Sequence, residues 1–432
     1  MFIFCSFSSY AQYWDSVGTD LHGLSAIFKE FDGQLYVGGV DSVNGVNLGN
    51  IGVWDGVKWD TLAHQNLGID GSVMAIEKFN GEIFIGGSFT DAGPPSADIK
   101  HLTRWDGVQF NDMGFSFQGN RIRALQTYNG ELYIGGTFNI FPGSNYPQIA
   151  KFDGQTLSMV GSGFQGWNRE VYCMTIYNNE LIVGGRFEYA DGKFCQNIAM
   201  WNGTTWDSLG LGCNYYVRDL VVDSINNVLY AAGTFSHAGG ISAPYVAKWD
   251  GTTWHDIGSP LVGTSEALVI YNSILYVGTD GSSNEPSSIY KYDGTTWTPM
   301  SPAPNHQVSH MYVYKGEMYV GGNMTEVNGV PYAGFLRYND GTTGIEQLSD
   351  GTSSLLLYPN PSNSEIIISH NLDNSVEAYL SIMNILGEVV IEKHLSVVSD
   401  KIRVEISNLP LGTYSCRITQ GANSFSSLFI KN

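Results

Sequence analysis

The chain has 432 residues, 43% hydrophobic and 13% aromatic, so it can build sizeable cores and is not a disordered polymer. Its 52 glycines and 25 tyrosines against 14% charged residues favour many short strands joined by glycine turns, which makes all-β the expected class. A formal net charge of -20, spread along the chain without a basic run, leaves no source for the phosphate neutralisation that nucleic-acid binding needs, so no nucleic-acid partner is expected.

Residues 1–11, Met1 to Ala11, read as the end of a secretory signal peptide: an apolar run is followed by small residues, with Ser9-Tyr10-Ala11 resembling a small-x-small cleavage site. The run lacks a basic n-region and its apolar core is short, which fits a signal truncated at its start. No later stretch approaches the roughly 20 apolar residues of a transmembrane segment, so a soluble or surface-attached mature protein is expected.

From Phe31 to Met324 one pattern recurs with a step of about 43 to 49 residues, the period of a four-stranded propeller blade. Its clearest copy is Tyr128-Asn129-Gly130-Glu131-Leu132-Tyr133-Ile134-Gly135-Gly136-Thr137-Phe138; the others begin at Phe31, Phe79, Tyr177, Asp223, Tyr271 and Tyr314. In this third copy the expected strands are A over 122–128, B over 131–138, C over 148–152 and D over 155–160. Asn129-Gly130 and Asp153-Gly154 are the expected tight turns, both at positive φ, since glycine has no Cβ and asparagine or aspartate tolerates the left-handed region. Gly-Gly pairs such as Gly135-Gly136 and Gly184-Gly185 fall inside strand B, where glycine costs stability unless a neighbour needs the space. Close packing between blades is the expected reason, with the strand D rings Trp59, Trp206, Trp254 and Trp297 as partners.

The copies supply seven A and B pairs and seven C strands, but one D strand is missing, because no aromatic follows Tyr338-Asn339-Asp340-Gly341. Near the N-terminus Tyr13-Trp14-Asp15-Ser16-Val17-Gly18 matches Thr205-Trp206-Asp207-Ser208-Leu209-Gly210 and is the expected substitute. The fold expected over residues 12–341 is therefore a seven-bladed β-propeller whose N-terminal strand closes the last blade. Strand direction then puts the B–C loops and D–A connections on one face, where a ligand is expected, and the tight turns on the other.

Strand A begins nearest the centre of such a ring, and the aligned position there holds Ser25, Met74, Arg123, Tyr172, Arg218, Glu266 and Ser309 among apolar neighbours. Divergence at a repeated position points to a ligand-binding site. Arg123 and Arg218 are suited to clamp a carboxylate, Tyr172 to stack on a sugar and Glu266 to act as acid or base; the alternative is surface arginines with nothing to bind. The next position holds Cys173, Asp219 and His310 in no readable nucleophile–base–orienter order, so no catalytic residue is assigned. No metal or cofactor is expected: Asp41, Asp91, Asp98 and Asp191 lack the alternating acidic spacing of a calcium loop, and no C-x-x-C spacing occurs. Cys195 on a B–C loop and Cys213 on a D–A connection share the loop face in an oxidising compartment, so they are expected to form a disulfide and to leave Cys173 free.

The repeat stops at Gly341, and residues 342–354 form a Ser/Thr/Gly-rich linker. Residues 355–432 carry seven short strand signals, the pattern of a small Ig-like β-sandwich. Here Leu357-Tyr358-Pro359-Asn360-Pro361 is followed by Ile382-Met383-Asn384-Ile385-Leu386-Gly387, then by Leu409-Pro410-Leu411-Gly412-Thr413-Tyr414 and finally Phe429-Ile430-Lys431-Asn432. In these motifs the segment resembles the type A C-terminal sorting domain of type IX secretion substrates. The resemblance implies export by a signal peptide, a partnership with the type IX secretion machinery and an extracellular destination, either released or attached to the outer-membrane surface. It also makes Pro359, Asn360, Pro361, Gly387, Gly412, Tyr414 and Lys431 the sorting-domain residues.

The repeats, with Leu-Tyr-Val-Gly-Gly followed by Trp-Asp-Gly-x-x-Trp, resemble Kelch-like and related propellers of bacterial cell-surface proteins, a likeness that names a fold and leaves activity open. The function expected is a secreted or surface-displayed binding or adhesion module for an extracellular glycan or protein. The alternative is a propeller-fold enzyme acting on extracellular polysaccharide.

Overall fold

A computed structural model describes residues 13–17, 22–43, 45–62, 68–93, 99–115, 117–140, 148–281, 288–327, 329–332, 334–339, 356–358, 362, 364–369, 377–384, 389–395, 401–420 and 423–431. The expected signal and linker, and the motif residues Pro359, Asn360, Pro361 and Gly387, lie outside them. The described residues are all-β, without a helix, and the chain divides into two compact units, Met1–Asp340 and Gly341–Asn432.

Among the described residues the first unit holds, beside three small ribbons of two or three strands, seven antiparallel sheets built on four strands. Their first strands are His22–Phe31, Val73–Phe79, Gln118–Tyr128, Glu170–Tyr177, Val217–Asp223, Ser265–Tyr271 and Val308–Tyr314. Each packs against the first strand of the next sheet, and Val308–Tyr314 packs back onto His22–Phe31, so the order is cyclic. The seventh sheet takes its outer strand from the N-terminal side: Tyr13–Ser16 pairs antiparallel with Phe335–Asn339, placing Trp14 opposite Tyr338. Buried Trp14 lies 4.9 Å from the Tyr338 ring, and its Nε1 donates to the Pro302 carbonyl at 2.9 Å.

The two turns of each repeat work differently. At Asn129-Gly130 both residues take left-handed φ, 50° and 77°, which lets a two-residue turn follow the twist of its strands. At Asp153-Gly154 only the glycine does, with φ 104°, while Asp153 Oδ1 accepts the backbone N–H groups of Gln155 and Thr156 at 2.8 and 2.6 Å. Both turns carry the expected positive φ, the second at its glycine alone, where the aspartate serves instead as a side-chain acceptor that replaces backbone partners.

The glycine pairs make room in two directions. A Cβ on Gly184 would lie 2.7 Å from Val217 Cγ1 of the next sheet's first strand, and the same collision recurs between Gly86 and Ile122 at 2.6 Å. A Cβ on the second glycine of a pair would run into the carbonyl of its own sheet's first strand, Arg121 for Gly136 and Glu170 for Gly185. The partners across sheets are thus β-branched aliphatics rather than the expected indoles. Those indoles tie each sheet to the preceding one: Nε1 of Trp59, Trp206, Trp254 and Trp297 donates to the carbonyls of Val17, Val160, Leu209 and Ile257 at 2.6, 3.3, 2.8 and 2.8 Å. Trp14 fills the same place for the seventh sheet. The cores follow this arrangement, with Ile182 and Ile198 of the fourth sheet packing in one cluster with Val217, Leu229 and Trp254 of the fifth.

In the second unit Leu356–Tyr358, Glu365–Ser369 and Lys401–Glu405 form a three-stranded sheet. Val389–Leu395, Ala378–Asn384, Gly412–Gln420 and Asn423–Lys431 form a four-stranded one, in that order. Alternate residues of both sheets, among them Ile366, Ile368, Leu380, Ile382, Val404 and Ile418, meet in one core. Tyr414 stacks on Phe429 at 5.5 Å and donates to the Pro410 carbonyl at 2.8 Å, while Gly412 opens its strand and Lys431 is buried beside Ser362.

Candidate functional site

Every first strand is irregular at the same place. The register slips between Val73 and Ala75, Ile122 and Ala124, Val171 and Cys173, Val217 and Asp219, Ser265 and Ala267, and Val308 and His310. The skipped residues are Met74, Arg123, Tyr172, Arg218, Glu266 and Ser309, the divergent series of the sequence. Ser25 lies inside the irregular stretch of the first sheet, between Gly23 and Ile27. A bulge leaves one residue out of the ladder and re-aims its side chain, so position and divergence have one structural cause.

Four of these residues, contributed by consecutive sheets, form one cluster. The guanidinium carbons of Arg123 and Arg218 lie over the Tyr172 ring at 5.3 and 5.0 Å, approaching from the sheets on either side of it. Arg123 Nε binds Glu170 Oε1 at 2.6 Å, and Arg121 Nε lies 2.9 Å from the same oxygen. Arg218 Nε is 4.0 Å from Glu266 Oε2 and, buried from solvent, has no hydrogen-bond partner among the described residues. Tyr172 therefore spaces two guanidiniums, and its ring is covered where a sugar was expected to stack. Beyond it Tyr216 lies 6.3 Å from Tyr172, carries Arg186 over its ring at 4.8 Å and stacks on Tyr215 at 4.2 Å. Sequence reasoning missed Arg121, Glu170, Arg186, Tyr215 and Tyr216. They stand at strand ends beside the bulges, where the repeat carries no fixed residue type to align.

Charges in the cluster act on groups from several sheets. Burial raises the Glu266 carboxyl, Arg218 and Arg123 pull it back down, and Asp280 adds to the rise. Burial pushes His310 down to about 4, helped by the charge of Arg123, which reaches this seventh-sheet imidazole from the third sheet. Burial lifts Asp219 to about 7, although its oxygens accept the N–H groups of Leu268 at 2.7 Å and Leu220 at 2.8 Å. The Leu268 bond ties Asp219 of the fifth sheet to the sixth, and with the Leu220 bond it engages this carboxyl with backbone N–H groups.

His310 and Asp219 give opposite pH dependences. The unfolded His310 takes up its proton below about 6.5, the folded one only near 4, so stability is lost as pH falls through that window. Asp219 titrates in the unfolded chain near 3.8 and in the folded chain near 7, so its contribution is present at low pH and lost as pH rises between them. His310→Gln is expected to recover on the order of 3 kcal/mol of stability near pH 4.5 and none near pH 8. Denaturant unfolding at the two pH values measures this; equal changes at both would show that His310 does not titrate between them.

The disulfide expectation is corrected. Cys195 and Cys213 are close in the chain trace, with Cys213 N–H bonded to the Gln196 carbonyl at 2.8 Å, but both thiols are free and buried. Cys195 packs with Phe187, Ala190 and Trp206, and Cys213 with Leu209, Phe235 and Ala238 of the next cluster, so the side chains turn into different cores. Cys173 is likewise a buried thiol. Among the described residues no cluster of His, Cys, Asp or Glu could hold a metal, and no helix is long and apolar enough to cross a membrane.

The loops beside the cluster are pinned together. Residues entering a sheet bridge to that sheet's B–C loop at Ile69 and Ala92, Phe164 and Ala190, Cys213 and Ala238, and Pro304 and Val327. Trp167, Leu211, Tyr215 and Val262 on the entering segments, and Tyr189, Phe194 and Ile241 on the B–C hairpins, are exposed, Trp167 by 84% and Tyr215 by 50%.

Residues 356–432 match the family model of the secretion system C-terminal sorting domain. The C-terminal unit is the type IX sorting domain. The protein that carries it is secreted or attached to the outer-membrane surface, and the sorting domain implies interaction with the secretion machinery. For the body, one similar solved structure is the extracellular domain of a hybrid two-component system of B. thetaiotaomicron, at 10% identity and a TM-score of 0.53, covering 83% of this chain and 45% of that one. Another is the extracellular domain of a one-component system of the same organism, at 11% identity and a TM-score of 0.48, covering 95% and 57%. This chain thus spans about half the length of either. The first likeness supports a β-propeller-like fold and nothing beyond fold. No curated protein matches the chain.

Proposed function

We propose that the seven sheets are the blades of one propeller over residues 12–341, exported with an N-terminal signal and an Ig-like sorting domain, and that it is an extracellular binding module. The face bearing the B–C loops meets the ligand, and Arg123, Tyr172, Arg218 and Glu266 form its central contact. One observation carries this reading: the bulged positions of consecutive sheets bring charged and aromatic side chains into one cluster, beside loops pinned by bridges and studded with exposed aromatics. Rigid, preformed sites of this kind lose little conformational freedom on binding. An enzyme of extracellular polysaccharide is the second reading, favoured by the raised carboxyl of Glu266 and opposed by the engagement of Asp219 with backbone N–H groups.

Display of the full chain on a glycan array, followed by a reducing-end assay on every glycan retained, tests both. The binding reading expects retention without release of new reducing ends. Release that Glu266→Gln abolishes would replace it with the enzyme.

A further inference from the structure

The central cluster gathers guanidiniums in a chain that is otherwise acidic. Lys and Arg total 21 against 41 Asp and Glu, yet Arg121, Arg123, Arg186 and Arg218 converge on the starts of three neighbouring first strands. Glu170 and Glu266 pair with these guanidiniums, and neither is a full partner. Glu170 offers one oxygen to both Arg121 and Arg123, at 2.9 and 2.6 Å, and Glu266 stands 4.0 Å from Arg218. Arg218 keeps a buried Nε with no acceptor, and a guanidinium fork binds best to a group with two acceptor oxygens in a plane. Tyr172 carries Arg123 and Arg218 over its ring at 5.3 and 5.0 Å, so the spacing between them is set before any ligand arrives.

We infer that this cluster is an oxyanion-recognition site for an acidic polysaccharide, with Arg123 and Arg218 as the anion clamp and Tyr172 as the residue that positions them. This rests on the binding reading above and adds its ligand class. Tyr215 supplies the neighbouring sugar contact: one face is covered by Tyr216 at 4.2 Å with the rings 26° apart, and the residue is 50% exposed. The row from Arg218 through Tyr172 and Tyr216 to Tyr215 leads from charge to an open aromatic ledge, which suits a chain whose sugars carry an anionic group beside an apolar ring face. The net charge of -20 over the whole chain repels such a polymer elsewhere, so attachment concentrates at the arginines.

The test is titration calorimetry of the full chain with polygalacturonate, dextran sulfate and neutral dextran. Anionic polymer is expected to bind at least tenfold more tightly than neutral dextran, with affinity falling as salt rises. Preference for polygalacturonate identifies a carboxylate ligand, preference for dextran sulfate a sulfate, and either supports the clamp. Arg218→Gln is expected to lower affinity for the anionic polymer tenfold or more at unchanged melting temperature, and Arg218→Lys to recover part of it, since it keeps charge and loses the fork. Arg123 also holds Glu170, so Arg218 is the cleaner probe. Anionic binding that ignores both Arg218 variants overturns the clamp. Neutral dextran bound as tightly, lost in Tyr215→Ala and untouched by Arg218→Gln, overturns the anion assignment and leaves the binding face standing. Failure of all three polymers, together with an empty glycan array, sinks both.

Discussion

Removal of residues 13–16 is expected to destabilise the first unit by about 4 kcal/mol or more, the range of a fully truncated core tryptophan before the lost strand is counted. Trp14 is 6% exposed, lies tilted against Tyr338 at 4.9 Å, donates to the Pro302 carbonyl at 2.9 Å and through its own carbonyl accepts from Tyr332 at 3.2 Å. Asp15 adds an ion pair with Arg337 at 3.0 Å, of small value because both are partly exposed. Without this strand Phe335–Asn339 becomes an open edge with unpaired backbone groups, so aggregation is expected beside the loss of stability. Denaturant unfolding of the deletion and of Trp14→Phe separates the contributions. The phenylalanine keeps most of the packing and loses the indole bond, about 1 kcal/mol. A deletion that unfolds at the midpoint of the parent would mean that the N-terminal strand does not hold the ring.

Gly184→Val should be as damaging, for the opposite reason. A Cβ there would meet Val217 Cγ1 at 2.7 Å and Cys173 Sγ at 2.6 Å, both on first strands and neither the end of a flexible chain. Overpacking of this kind costs about 3 kcal/mol when the neighbours shift and prevents assembly of adjacent sheets when they cannot. Gly184→Ala combined with Val217→Ala relieves part of the collision. The double variant is therefore expected to be more stable than the sum of its single changes allows, with coupling of about 1–2 kcal/mol. Additive effects in that cycle would rule out Val217 as the residue that demands glycine.

The sequence by itself determined what is local and repeated. Asn129-Gly130 and its equivalents dictate tight hairpins, because few residues other than glycine and asparagine take left-handed φ cheaply. The spacing of those hairpins implies sheets of four strands, and the missing strand D points to Tyr13–Ser16 as its substitute. The motifs from Leu357 to Asn432 identified the sorting domain. What only the tertiary structure decided depends on which sheets touch and where side chains are aimed. The bulges bring Arg123, Tyr172, Arg218 and Glu266 into one cluster, yet nothing in the chain announces that Arg121 and Arg123 share Glu170 or that two guanidiniums lie over Tyr172. Cys195 and Cys213 show the same limit: the chain brings their backbones together, and the packing of two separate cores turns their thiols apart. Turn chemistry is fixed within a few residues, whereas ion pairs, glycine contacts and thiol directions are fixed between sheets, where a change of one bulge re-aims every neighbour.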